Sequence, residues 1–311
     1  MQKAFDSVNH DILCSKIEAI GIDPSWFKSY LSGRNQTVSI NKIESDAQDI
    51  TCGVPQGSLL GPLLYLIYCN DMCISVKNKL LLYADDSIIL VCGKDPKIVS
   101  ECLSTELDSC NNWLIDNKLS LHVGKTECIL FGSKRKLNSV KNFHVNYKDH
   151  SIKGTKTVKY LGVILDQDLS GSSMALNVIP KALGKLKFLY RHGHCLNTDL
   201  RKKMCTALIQ CHLDYCNNAW FTSLPVSLKQ KLQVTQNKMV RFILQLPSRS
   251  HIGQSQLSAL NFLNISDRVS QLRLNYVFKS RNGTSPLYLT EYFKPVSKVH
   301  NCNTRSNASA N

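Results

Sequence analysis

The order of apolar and polar positions changes character along the chain. Over the first 170 residues, helical and extended patterns alternate. Ile12, Leu13, Ile17 and Ile20 recur three and four apart, which predicts a helix over Asp11 to Ile20 that ends at Gly21. Asp23 is placed to cap a second helix, Pro24 to Leu31, with Ser32-Gly33 as its stop. Val38 and Ile40 alternate with polar neighbours and predict a strand over Gln36 to Ile43, and Gly53-Val-Pro55 breaks whatever precedes it. Leu59 to Tyr68 is almost wholly apolar and reads as a buried helix. Two apolar runs, Leu80 to Tyr83 and Ile88 to Cys92, flank Ala84-Asp-Asp-Ser87 and predict a hairpin. A long amphipathic helix over Pro96 to Asn117 follows, then strands over Glu127 to Phe131 and over Val158 to Leu165, the second with Gly162 inside it.

From about Ser173 the pattern is nearly all helix, over Ala175 to Tyr190, Leu200 to Leu213, Val226 to Leu246 and Ile265 to Phe278. After about Val296 the chain turns to Asn, Ser and Thr, a composition that favours disorder. The expected division is therefore a mixed α+β region over 1–170, a helical region over 171–295 and a tail over 296–311.

Composition adds bounds. The 311 residues are 43% hydrophobic, enough to bury a real core. No run approaches the roughly 18–20 apolar residues that cross a bilayer, and the start lacks the basic-then-apolar order of a signal peptide. An intracellular chain without a membrane partner is expected, in the nucleus or the cytoplasm. The 13 cysteines include no CxxC pair and fall mostly inside apolar segments, where thiols behave as small core residues. His192-Gly-His194-Cys195 and Cys211-His212 with Cys216 each lack the second half that a structural zinc site needs.

Charge changes the picture more. Residues 1–150 hold 16 Lys and Arg against 17 Asp and Glu, whereas residues 151–250 hold 15 against 4. A near-neutral region is thus followed by a polycation, the balance expected of a scaffold that carries a site joined to a part that grips a polyanion.

The sharpest candidate chemistry is Tyr83-Ala-Asp85-Asp86. Two adjacent carboxylates between apolar strands repel one another and lose hydration, a cost that a divalent cation offsets. Oxygen-only ligation suits Mg²⁺, which keeps waters and takes one or two carboxylates together with substrate phosphates. An Asp-Asp turn by itself is common on surfaces. Its neighbours sharpen it: Gly53-Val-Pro-Gln-Gly-Ser58 offers close backbone approach and the Gln56 amide, and Lys125 sits at a helix-to-strand junction within reach of a departing anion.

Gly53-Val-Pro-Gln-Gly-Ser-Leu-Leu-Gly-Pro62, Asn70-Asp71 and Tyr83-Ala-Asp-Asp86 together resemble the reverse transcriptases of non-LTR (LINE-type) retrotransposons. Lys3-Ala-Phe-Asp6 is similar to the end of that family's first catalytic motif, and Asn117 to Thr126 to its lysine-bearing motif. Tyr160-Leu-Gly-Val163 is similar to its primer-grip segment, and His212 to Asn217 to its thumb. The wording of the Gly-Val-Pro-Gln-Gly-Ser segment favours this type over group II intron or telomerase polymerases.

The resemblance implies a polymerase palm of split βαβ, ferredoxin-like type followed by an all-helical thumb. It implies Asp85 and Asp86 as ligands of two Mg²⁺ ions (Mn²⁺ as substitute) and Lys125 as general acid for the leaving pyrophosphate. Phe5 would screen the sugar 2′ position, with Gln56 and Gly57 near nucleotide and template. The implied partners are an RNA template, a DNA primer and deoxynucleoside triphosphates. The family's first metal-binding Asp stands five residues before the Phe and its fingers and endonuclease lie further upstream, so none falls within residues 1–311. The expectation is a polypeptide whose polymerase activity is impaired or absent; the alternative is a non-catalytic nucleic-acid-binding remnant of a retroelement.

Overall fold

A computed structural model describes residue 1 and residues 3–293 of the chain. It is α+β and separates into two compact units, Met1–Lys156 and Thr157–Asn311. The expected tail over 296–311 lies outside the described residues.

In the first unit, Asn9 caps helix α1 (His10–Ala19), its side chain accepting from the Ile12 amide at 3.1 Å. Helix α2 (Ser25–Leu31) follows. Residues 34–50 form an exposed arm of nested two-residue strands rather than the single strand expected: β1 (Asn35–Gln36) pairs with β4 (Gln48–Asp49), and β2 (Ser39–Ile40) with β3 (Ile43–Glu44). Asn41 and Lys42 take positive φ and turn the arm back on itself. Helix α3 (Leu60–Cys69), the buried helix expected over Leu59 to Tyr68, buries Leu64, Tyr65 and Tyr68 and leaves Leu63 and Leu66 51% and 57% exposed. Strands β5 (Lys79–Tyr83) and β6 (Asp86–Leu90) form the expected hairpin, and helix α4 (Pro96–Asp116) is capped by Asp95, whose side chain accepts from the Lys97 amide at 2.9 Å. After the short helix α5 (Lys134–Ser139), strands β7 (His144–Tyr147) and β8 (His150–Lys153) form a hairpin against α4.

Leu13 and Ile17 of α1, Leu64, Tyr65 and Tyr68 of α3, and Leu114 of α4 build the core of this unit. Lys16 ties the three helices together. Its ammonium donates to the Tyr68 carbonyl and to Asp71, each at 2.7 Å, and lies 5.0 and 4.8 Å from the ring centres of Tyr68 and Trp113. Glu106 of α4, 4% exposed, accepts from the Lys77 amide at 2.9 Å and from the Asn78 amide and side chain at 3.1 and 2.6 Å, which fixes the lead into β5.

The second unit opens with β9 (Thr157–Tyr160) and β10 (Val163–Asp166), an antiparallel hairpin. The single strand expected over Val158 to Leu165 is overturned because Leu161 and Gly162 take φ of 43° and 81° and reverse the chain. The Tyr215 hydroxyl donates to the Leu161 carbonyl at 2.5 Å and holds the turn. Val163 belongs to the helical core that follows, and the two compact units meet in sequence at Lys156–Thr157.

Helices α6 (Ser172–His192), α7 (Thr198–Cys205), α8 (Cys211–Asp214), α9 (Asn217–Trp220), α10 (Val226–Leu244), α11 (Gln254–Ala259), α12 (Ile265–Arg281) and α13 (Leu287–Thr290) complete the unit. A π turn, Thr206–Gln210, interrupts the continuous helix expected over Leu200 to Leu213. Helix α6 takes part in two cores. Met174, Ala175 and Val178 pack with Leu213, Trp220 and Leu232; Ala182, Leu186 and Leu189 pack with Ile209, Met239, Val240 and Phe242. Pro180 falls between the two and withdraws one N–H from the helical ladder.

The described strands pair as five two-stranded antiparallel ladders, so hydrogen bonds among them do not draw the expected split βαβ sheet. The strand expected over Glu127 to Phe131 is reduced to one isolated bridge, Cys128 to Gly154. Among the described residues, no helix is long and apolar enough to cross a membrane.

Candidate active site

The register of the β5–β6 hairpin sets the geometry of the acidic pair. Tyr83 lies opposite Asp86, so Ala84 and Asp85 alone make the turn. Ala84 takes a φ of 49°, a left-handed value that costs an L-residue with a Cβ about 1–2 kcal/mol. Asp85 therefore stands at the tip and Asp86 at the first position of a strand. Both are exposed, which removes the desolvation expected from their apolar flanks.

Beside this tip runs the segment Lys3 to His10. Residues 4–7 form a single 3-10 turn, and the chain then lies against 52–56: the Gly53 amide donates to the Val8 carbonyl at 2.7 Å and the Val54 amide to the Phe5 carbonyl at 2.9 Å. His10 Nε2 reaches the Gly53 carbonyl at 2.8 Å. Gly53 has φ of 91°, and a Cβ there would stand 2.9 Å from the Asp6 carbonyl oxygen, so this crossing needs glycine. The crossing sets Gln56 against Asp6, and the amide Nε2 donates to the Asp6 carboxylate at 2.7 Å. Phe5 stacks on Tyr65 with ring centres 4.5 Å apart, and the Tyr65 hydroxyl donates to the Met1 sulfur at 3.2 Å. Burial pushes the Tyr65 hydroxyl far above its ordinary pKa and keeps it a donor. The Met1 ammonium donates to the Asp85 carbonyl oxygen at 3.2 Å.

These segments surround one cavity of about 400 Å³, lined by Phe5, Asp6, Gln56, Asp85, His122 and Lys125 among others. Lys125 ends a 3-10 turn, Val123–Lys125, rather than the expected helix-to-strand junction. Of the residues singled out in the sequence, Phe5, Gln56, Asp85 and Lys125 thus share the cavity, whereas Asp86 and Gly57 do not line it. Of the other lining residues, Asp6 and His122 bring polar side chains that the sequence does not single out. Asp6 directly follows Phe5, and the 3-10 turn brings both to the cavity. His122, three residues before Lys125, is brought in by the turn they share.

Among the described residues, no three His, Cys, Asp or Glu side chains gather closely enough to hold a bare ion. The donors present suit a hydrated one. Asp85 and Asp6 line the cavity and no cysteine does, a residue set that fits the one or two carboxylates that Mg²⁺ takes alongside water and phosphate.

Residues 1–165 match the family described as reverse transcriptase (RNA-dependent DNA polymerase). That is more than half of the chain, and the chain belongs to this family, among the enzymes of non-LTR retrotransposons. It is 28% identical to the "RNA-directed DNA polymerase from mobile element jockey" of Drosophila funebris over 262 residues, 79% of this chain and 28% of that protein. The "Probable RNA-directed DNA polymerase from transposon X-element" of Drosophila melanogaster is 25% identical over 78% of this chain and 27% of its own length. The "Probable RNA-directed DNA polymerase from transposon BS" of the same fly is 27% identical over 92% of this chain and 33% of its own. The chain spans about a third or less of each of these relatives.

Proposed function

We propose that the first unit is a polymerase palm that adds deoxynucleotides to a DNA primer on an RNA template, and that the second unit is a thumb for the template–primer duplex. The observation that carries this reading is the cavity shared by Phe5, Gln56, Asp85 and Lys125, which come from four separate stretches of sequence. Asp85 and Asp86 would hold two Mg²⁺ ions, which would supply positive charge to the phosphoryl oxygens, although only Asp85 lines the cavity. Lys125 holds a proton for the departing pyrophosphate. Phe5, fixed by its stack on Tyr65, presents a flat apolar edge to the nucleotide sugar and excludes a 2′-hydroxyl by contact. Gln56 is oriented by Asp6 and, with Gly57, lies near nucleotide and template.

Two carboxylates hold two ions weakly. The polypeptide of residues 1–311, used alone, is therefore expected to extend primers feebly.

The test is primer extension on an RNA template with Mg²⁺ or Mn²⁺, comparing the chain with Asp85→Asn. Weak synthesis that Asp85→Asn abolishes supports the reading. Synthesis indifferent to Asp85 sinks it, and robust Asp85-dependent synthesis overturns the expectation of impairment alone.

A further inference from the structure

A second cavity, of about 320 Å³, adjoins the turn that carries Lys125. The segment 119–125 is shared between the two cavities. His122 and Lys125 line the first, whereas Leu119, Ser120, Leu121 and Val123 line the second. The turn is closed on both sides of Val123. The His122 carbonyl accepts from the Lys125 amide and the Thr126 hydroxyl, each at 3.0 Å, and the Val123 carbonyl accepts from the Thr126 amide at 3.0 Å. A turn tied in this way moves as one piece, so a group packed on Val123 also holds His122 and Lys125.

Asn111 of α4 reaches the second cavity although only 7% of its surface is exposed. Its Oδ1 accepts from the hydroxyl of Tyr147, itself 4% exposed. The Nδ2 donor has no partner among the described residues and is not sealed in the core. A buried amide clamped through one atom presents the other in a fixed direction, and an acceptor there completes the pairing that buried polar groups ordinarily have. The walls around it are aliphatic: Ile115, Leu119, Leu121 and Val123. On the exposed side, the β7–β8 turn brings Lys148 next to Asp149, and the Lys148 ammonium lies 5.5 Å from the Tyr147 ring centre. A rim of balanced charge gives an anion little, and moving its charge between aliphatic walls is costly. A rigid ring, by contrast, buries apolar area there with few rotors to freeze.

We infer that this cavity binds a small neutral aromatic carbonyl compound, its oxygen on Asn111 Nδ2 and its ring against the aliphatic walls, and that occupation fixes the turn bearing His122 and Lys125. The volume falls at the lower end of small-molecule sites, roughly 300–1,000 Å³. That fixing the turn slows nucleotide transfer rests on the proposed polymerase function, because a proton donor has to approach the departing oxygen.

The probe is prodan, a neutral naphthyl ketone whose emission moves to the blue in apolar surroundings, titrated into residues 1–311. Ile115→Trp, at a position 57% exposed, fills the cavity and is expected to abolish saturable binding. Asn111→Leu is expected to weaken binding about fivefold, the worth of one hydrogen bond. The same ring without the ketone, 2-dimethylaminonaphthalene, is expected to bind the unsubstituted chain with the same loss. Hydrogen exchange read by mass spectrometry follows the turn: prodan at ten times its Kd is expected to slow exchange over 119–126 about tenfold. Binding that Ile115→Trp leaves unchanged overturns the inference, as does equal affinity for the ring without its ketone. Those two measurements decide even where Asn111→Leu fails to fold. Binding without protection of 119–126 overturns the hold on the turn. Neither readout uses catalysis. If Asp85→Asn leaves extension unchanged while prodan binds and protects the turn, only the catalytic reading falls. If extension depends on Asp85 but ignores saturating prodan, only the regulation falls.

Discussion

The two units use polar side chains in opposite ways. Met1–Lys156 carries 18 Lys and Arg against 17 Asp and Glu, and its charges work internally. Lys16 is clamped between Tyr68, Trp113 and Asp71, Glu106 holds the lead into β5, and Asp6 orients Gln56. Thr157–Asn311 carries 20 Lys and Arg against 6 Asp and Glu, and its longest described helix, α6, pairs none of its cations. A balanced unit spends charge on shape. The basic one leaves the charge of this helix unpaired.

The largest expected effect that sharpens this contrast is Asp85→Asn. Loss of several kcal/mol of charge stabilisation lowers primer extension on the order of 10³-fold, while affinity for an RNA–DNA hybrid stays within about twofold. Equal losses in both assays would break the division of labour. Next, Phe242→Ala is expected to destabilise the second unit by about 3–5 kcal/mol, since Phe242 fills the core around Ile209 and Val240. Denaturant unfolding followed by fluorescence checks it. Glu106→Ala leaves the Lys77 and Asn78 amides without their acceptor and is expected to cost about 1–3 kcal/mol, with hybrid binding untouched. A matching drop in affinity would show that charges of the first unit also serve the polyanion.

The smallest effect is alkaline. Burial pushes the Cys110 thiol up to about 11 in the first unit and the Cys205 thiol up to about 12 in the second, from 9.0. A raised folded value means that the proton is held more tightly in the folded state. This contribution is whole below pH 9 and is lost as pH climbs toward 11 and 12. Melting temperature should fall over that interval, and Cys205→Val should flatten the fall for the second unit alone.

What the sequence revealed and concealed follows from which signals are local. The hairpin around Asp85 was legible because two apolar runs bounded a turn of the right chemistry, and α4 and α6 because their periodicity is long. The β7–β8 hairpin was missed although Val145, Tyr147 and Ile152 alternate, because its turn is Lys148-Asp149, without glycine, and Lys148 takes a φ of 50°. Gly162 was read as part of a strand, when a glycine inside an extended pattern is itself a sign of reversal. The cavity was not legible in any local pattern. Phe5, Gln56, Asp85 and Lys125 were selected through their resemblance to a family, and their meeting depends on the crossing of residues 3–10 with 52–56. Asp6, directly after Phe5, would point away from it on a strand but joins it at the cavity on this 3-10 turn.

Pro180 has a mechanical consequence. Helix α6 is the beam that joins the two cores of the second unit, and this proline leaves the Leu176 carbonyl without its usual rung where one core gives way to the other. A beam notched between its two anchors bends at the notch. Each half of α6 packs in its own core, so the one missing rung falls where a bend would disturb neither set of contacts.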